Sequence, residues 1–97
     1  MMVKTELFDT AKYLTDPHDQ EELINEAFQS GDPTAVATAL GIVARARGMT
    51  DVAREAGITR EALYKSLSED GDPRLTTLMG VMRALGVTLS AEIKPAA

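Results

Sequence analysis

Five side chains suited to hydrogen-bond chemistry lie within seven residues of this 97-residue chain: Thr59, Arg60, Glu61, Tyr64 and Lys65. An arginine can donate two hydrogen bonds to guanine, and a glutamate can accept one from the cytosine amino group. We expect Tyr64 and Lys65 to contact phosphate, sugar or a thymine methyl group. The segment can therefore read DNA, although Glu61 and Lys65, one helical turn apart, can also form an ordinary solvated ion pair.

Two short helices are predicted to position these residues. Thr50 can cap a helix over 51–56 that ends at Gly57, and Thr59 can cap a second helix over 60–68. A three-residue turn joins the two, which is typical of a helix-turn-helix, whose second helix enters the major groove of DNA. The apolar residues spaced to fill the space between the helices are Val52, Ala56, Ile58, Leu63 and Leu67.

Asp-Pro pairs and glycines predict three further helices. An aspartate can cap the first free N–H groups, and proline at the first helical position gives up no needed donor. Asp16-Pro17 and Asp32-Pro33 are expected to start helices that Gly31 and Gly48 close, and Asp72-Pro73 precedes a third helix that Gly86 closes. The last helix is expected to bury Leu75, Leu78, Met79, Met82 and Leu85 on one face. With a weaker helix at 9–14, the fold class is mostly α, with five or six helices.

One C-terminal segment has the pattern of a strand. Val87, Leu89, Ala91 and Ile93 alternate with polar residues, and this period of two is typical of a half-buried strand. A lone strand leaves its backbone groups unpaired. We therefore expect it to pair with the same strand of a second protomer in a homodimer. The alternative is that residues 87–93 pack as an extended tail.

The charges divide the chain into two parts. Residues 1–33 hold eight acids and two bases, whereas residues 34–97 hold seven acids and eight bases, and the net charge is −5. Five bases in the second part form a modest patch that would need a dimer to bind DNA well: Arg45, Arg47, Arg54, Arg60 and Lys65. The acidic part fits a basic protein partner, with Glu21, Glu22, Leu23 and Glu26 as candidate contacts. Alternatively, the acids only add solubility.

Composition argues against most enzyme and metal chemistry. The chain has no cysteine, which excludes disulfides, thiolate zinc sites and a cysteine nucleophile. One histidine excludes a multi-histidine metal site, and Ser66 and Ser68 lack a nearby base. We expect no enzyme activity, no cofactor and no metal. No apolar run could span a membrane and no signal sequence is evident, so the expected location is the cytoplasm.

From Leu40 to Leu89 the sequence resembles the lambda-repressor-like (Cro-type) helix-turn-helix domains. More narrowly, it resembles the addiction-module antidote family, antitoxins of the HigA type. The stretches that carry the resemblance include ARARGM at 44–49, AREAGITREALYK at 53–65 and LSEDGDP at 67–73. The resemblance implies a RelE-type ribonuclease toxin as partner, a tight complex with it, and repression of the protein's own operon. Asp51 departs from the neutral residue of many relatives, and we expect it to stabilise its own helix start instead of contacting phosphate.

Three segments follow from these observations. Residues 1–32 form an acidic helical segment suited to a toxin contact, residues 33–86 form the helix-turn-helix domain, and residues 87–97 form the dimerisation strand and tail. The leading interpretation is an antitoxin that is also a dimeric repressor. The alternatives are a stand-alone helix-turn-helix repressor without a toxin, or a helical adaptor that binds only protein.

Overall fold

The computed structural model describes residues 14–96, and five helices form in this part of the chain. They are α1 (Pro17–Ser30), α2 (Pro33–Arg47), α3 (Met49–Ala56), α4 (Arg60–Ser66) and α5 (Leu75–Leu85). The mostly α fold class is confirmed. The weak helix predicted at 9–14 lies, apart from its last residue, outside the described residues.

The Asp-Pro pairs begin α1 and α2 as predicted. The Asp16 carboxylate accepts a hydrogen bond from the His18 N–H at 2.8 Å, and the Asp32 carboxylate accepts one from the Thr34 N–H at 3.0 Å. Both aspartates have extended backbone conformations, as residues that precede the first helical turn should. These two helix starts are therefore fixed locally by the sequence, whereas α5 begins at Leu75, beyond the Asp72-Pro73 pair, without a side-chain hydrogen bond at its start.

The predicted start of α3 is wrong by two residues. The helix begins at Met49 and not at Asp51, and Gly48 takes the capping position without a side-chain hydrogen bond. The Val52 N–H already bonds to the Gly48 carbonyl at 3.1 Å, so Thr50 lies inside the first turn and caps nothing. Gly48 also ends α2, so α3 follows α2 directly, and Met49, its first residue, is buried in the core.

One core joins all five helices. Its most fully buried side chains are Leu40, Leu63, Val43 and Val81, and Ile24 of α1 belongs to the same cluster. Helix α3 packs chiefly on α5, while α1 packs on α2. The helices α3 and α5 approach closely at Gly80, where an added Cβ would lie 3.1 Å from the Ala56 carbonyl oxygen. The core therefore holds α3 and α4 in place through their buried sides.

The apolar face predicted for α5 is wrong at two positions. Leu75 and Met79 are 72% and 53% exposed, whereas Met82 and Leu85 are buried as expected. The buried face centres on Val81 and Leu85, and Met79 precedes Val81 by two residues. At about 100° per residue, Met79 therefore points about 160° away from Val81.

The predicted C-terminal strand does not form within the single chain. Residues 87–96 have no secondary structure, and Leu89 and Ile93 are 45% and 94% exposed. The physical reason is that a strand needs a second strand to satisfy its backbone groups, and the described part of this chain contains none. Pairing of residues 87–93 across a dimer remains a prediction.

Candidate nucleic-acid interface

A tight three-residue turn sets the angle between α3 and α4. Gly57 has a φ of 76°, a left-handed conformation that glycine adopts without a steric penalty. The Ile58 N–H bonds back to the Ala53 carbonyl at 3.0 Å, which is the long hydrogen bond of a Schellman motif. Thr59 then caps α4 as predicted, because its hydroxyl accepts from the Ala62 N–H at 3.0 Å. Sequence chemistry therefore determines this turn at both ends.

Helix α4 has a buried side and an exposed side. Leu63 is fully buried, as is most of Leu67 just beyond the helix end. Arg60, Glu61 and Lys65 are exposed. No ion pair joins Glu61 to Lys65 in the described structure, so both charges face solvent. The division predicted from the sequence is thus present, and it leaves hydrogen-bonding groups available on one surface.

Tyr64 brings two arginines from different helices together. The guanidinium carbon of Arg45, on α2, lies 4.7 Å from the centroid of the tyrosine ring, and that of Arg60 lies 5.4 Å from it. Arg60 also donates a hydrogen bond from Nη2 to the Tyr64 hydroxyl at 3.2 Å. Both distances fall within the range of cation–π attraction. Residues separated by fifteen positions in sequence therefore form one positive surface.

The electrostatics of this cluster act on the phenol. The hydrogen bond from Arg60 lowers the pKa of Tyr64 below the ordinary value of 10.0, while partial burial opposes the shift. The positive charges of Arg60 and Arg45 lower this pKa further. The same field would attract a phosphate oxygen, because the charges that stabilise a phenolate also stabilise other anions.

Two other predicted DNA contacts are engaged elsewhere. Arg54 forms an exposed ion pair with Asp51 at 2.9 Å. Asp51 also lies in the first turn of α3, as expected of an acid that stabilises its own helix start. Arg47 donates from Nε to the Gln20 side chain at 2.9 Å and from Nη1 to the Leu85 carbonyl at 3.1 Å. The structure therefore brings Arg45, Arg60 and Tyr64 together and directs the hydrogen bonds of Arg47 toward α1 and α5.

Gln20 is a structural residue that the sequence reasoning missed. It is 3% exposed, and its amide donates to the Leu14 carbonyl at 2.8 Å while accepting from Arg47. It thereby connects the chain before α1 with the end of α2. A polar residue four positions before the apolar Ile24 was the available signal, because this spacing places Gln20 on the buried face of α1.

The four candidate toxin contacts on α1 do not share one surface. Leu23 and Glu26 line an open groove between α1 and α2. Glu21 instead lines a separate cavity that is bounded by α5 and the residues after it. The Glu22 carboxylate lies 3.3 Å from the imidazole of His18, which is an exposed residue in the first turn of α1. The groove is thus the feature that distinguishes Leu23 and Glu26 from the other two.

Within residues 14–96, no three or more histidine, aspartate or glutamate side chains are grouped so that they could hold a metal ion. No helix in this range is long and apolar enough to cross a membrane.

Comparison with known proteins identifies relatives over almost the whole chain. The model of a family described as "probable addiction module antidote protein" matches residues 4–93. An uncharacterized protein of Haemophilus influenzae is 42% identical over 85 residues, which is 88% of this chain and 88% of the relative. No solved structure matches the chain.

Proposed function

The chain belongs to the family of probable addiction module antidote proteins, and we propose that it is the antitoxin of a type II toxin–antitoxin module. An antidote requires a cognate toxin as partner. We assign this toxin to the RelE-type ribonucleases, which the resemblance of the sequence implies. The antitoxin binds this toxin, neutralises it in the cytoplasm and represses the operon that encodes both proteins. This is a binding role, in which the chain itself catalyses nothing.

The DNA-binding half of the proposal places α3 and α4 as a helix-turn-helix. The observation that carries it is the cluster of Arg45 and Arg60 around Tyr64, beside the exposed side of α4. Arg60 and Glu61 reach base edges, and Arg45 and Lys65 hold phosphates. Arg54 adds a further phosphate contact once it leaves Asp51. Arg47 contributes indirectly, because its hydrogen bonds to Gln20 and the Leu85 carbonyl hold α1 and α5 against the end of α2.

The repressor acts as a homodimer. One protomer has too small a positive patch for tight binding, and a dimer reads two half-sites about 34–36 Å apart. The exposed apolar side chains of Leu89 and Ile93 support a partner for residues 87–93, since burying them is favourable. An antiparallel pair formed by Val87, Leu89, Ala91 and Ile93 of each protomer satisfies backbone groups that a single chain leaves open after Val87, whose N–H already bonds to the Met82 carbonyl.

Arg60→Ala tests the DNA-binding half, with Arg83→Ala as a matched control. Both arginines are exposed, and each variant removes one positive charge, but Arg83 lies on α5. We expect Arg60→Ala to weaken binding to the promoter of the chain's own operon by about 1–3 kcal/mol per lost base contact, or about 5-fold to 150-fold. Dimerisation and helix content should not change. Equal promoter affinities for the two variants would contradict a reading role for Arg60.

A binding titration against the protein encoded beside this chain's gene tests the antitoxin half. A stable complex with a short basic protein, and loss of that protein's ribonuclease activity in the complex, are the expected results. Specific promoter binding without any such complex would instead indicate a stand-alone repressor. Complex formation without promoter binding would indicate a protein-binding adaptor.

A further inference from the structure

A shallow groove of about 480 Å³ lies between α1 and α2. Its floor consists of Ala27 from α1 with Ala39 and Ile42 from α2, which are all buried. Leu23 and Ala35 form half-buried walls. The groove is open because alanines stand at positions where the two helices face each other, and a larger side chain at Ala35 would occupy this space.

Among the residues that the structure describes, the charged side chains that line the groove are both acidic. Glu26 lines one wall and Asp32 lies at the end, and both are exposed. From Leu14 to Ala44 the sequence holds six acids and no lysine or arginine. The positive cluster of Arg45 and Arg60 belongs to the other functional surface. The groove therefore combines an apolar floor with an acidic border.

We propose that this groove is the docking site for the toxin, which inserts an apolar side chain between flanking lysines or arginines. The inference rests on the proposed antitoxin function and adds the surface on which it acts. DNA is a poor occupant, because the acids around the groove would repel phosphates. A second copy of the chain placed groove to groove is also poor, since it would bring the same acids together. A basic protein with an exposed apolar residue matches both the floor and the border.

Two groove variants and two matched controls test the proposal. Glu26→Lys reverses a charge at the wall, and Ala35→Leu fills the groove without changing charge. Glu21→Lys makes the same charge change on the same helix but beside the other cavity, and Ala62→Leu enlarges an exposed alanine on α4. The probe is the purified basic protein encoded beside this chain's gene. Its dissociation constant is measured by titration calorimetry near physiological salt, where screening limits long-range effects.

We expect each groove variant to weaken the complex by about tenfold or more, because a reversed charge or a steric block at an interface is costly. Each control should stay within about threefold of the wild type. Helix content of all four variants should match that of the wild-type chain, which shows that they are folded. Promoter binding should also be unchanged in the three variants outside α4, and Ala62→Leu is judged by helix content alone because it lies on the proposed DNA-reading helix.

Three results would overturn the inference. Wild-type affinity for both groove variants would show that the toxin docks elsewhere. Equal weakening by Glu26→Lys and Glu21→Lys, with no effect of Ala35→Leu, would show general charge attraction without use of the groove. Failure of the wild-type chain to bind the neighbouring protein, with promoter binding intact, would overturn the antitoxin function itself, and this outcome is distinct from the other two.

Discussion

Replacing Gln20 with leucine tests how α1 is held on the rest of the protein. The Gln20 amide joins two groups distant in sequence, donating to the Leu14 carbonyl at 2.8 Å and accepting from Arg47 Nε at 2.9 Å. Leucine is similar in size but can make neither hydrogen bond. The change therefore leaves one acceptor and one donor without their partner, in a position that is 3% exposed.

The expected cost follows from the burial of these two groups. A buried polar group that loses its partner costs about 1–3 kcal/mol. Leu14 is half-buried, so leaving its carbonyl without a donor should lower the free energy of unfolding by an amount in this range. Arg47 is exposed and keeps its hydrogen bond to the Leu85 carbonyl, so water can replace the lost contact at Nε. We expect a total loss of about 1–3 kcal/mol in the free energy of unfolding.

Urea unfolding followed by circular dichroism, at one fixed protein concentration, measures this loss. Gln29→Leu is the control, because Gln29 is exposed on the same helix, and its effect should stay within about 0.5 kcal/mol. Gln20→Glu should fall between the two, since a carboxylate can still accept from Arg47 but cannot donate to Leu14. An effect of Gln20→Leu equal to that of Gln29→Leu would refute the reasoning that this contact holds α1 in place.

Three further predictions concern the surfaces. In a Tyr13→Phe background, ultraviolet titration of Tyr64 should give a midpoint below 10.0, and this midpoint should rise in Arg60→Gln. Because the pKa of Tyr64 is lowered in the folded state, the contact stabilises the fold above pH 10 and loses its effect as the pH falls through the folded pKa. An unchanged midpoint in Arg60→Gln would contradict the contact. Asp51→Asn should release Arg54, so gel-shift titrations should show a higher promoter affinity with a steeper salt dependence. The free energy of unfolding should fall by at most about 1 kcal/mol, because the ion pair is exposed. Unchanged promoter affinity would show that Arg54 contacts no phosphate. Ile93→Lys should weaken the dimer in sedimentation experiments while Ser90→Lys, on the opposite side of the predicted strand, should not; equal effects would argue against strand pairing.

Local sequence chemistry was sufficient to predict most helix boundaries. Asp16, Asp32 and Thr59 each satisfy backbone N–H groups within the next three residues, so their effect does not depend on the rest of the fold. The start of α3 was missed because a cap at Thr50 competes with a start at Gly48, where the chain leaves α2 and enters α3 directly. That competition depends on tertiary packing, which a local pattern does not describe.

Contacts between distant elements were harder to predict. Arg45 and Arg60 were both candidates, but only the packing of α2 beside α4 shows that they share Tyr64. Arg47 has the same residue type as Arg45 and lies two positions away, yet it hydrogen-bonds to Gln20. Side chains two positions apart on a helix point in very different directions, so Arg45 and Arg47 reach different surfaces. The sequence identified the basic patch but could not assign each arginine to it.

The most direct test of the DNA-binding repressor is a titration of the protein against a duplex of its own promoter region at two salt concentrations, with a scrambled duplex as control. If Arg45, Arg54 and Lys65 each hold one phosphate in both protomers, the slope of log affinity against log salt should be about −5. Raising salt fourfold should then weaken binding by about a thousandfold. We expect saturable, promoter-specific binding with this dependence. Equal or absent binding to both duplexes would contradict a repressor role and leave α3 and α4 without their proposed function.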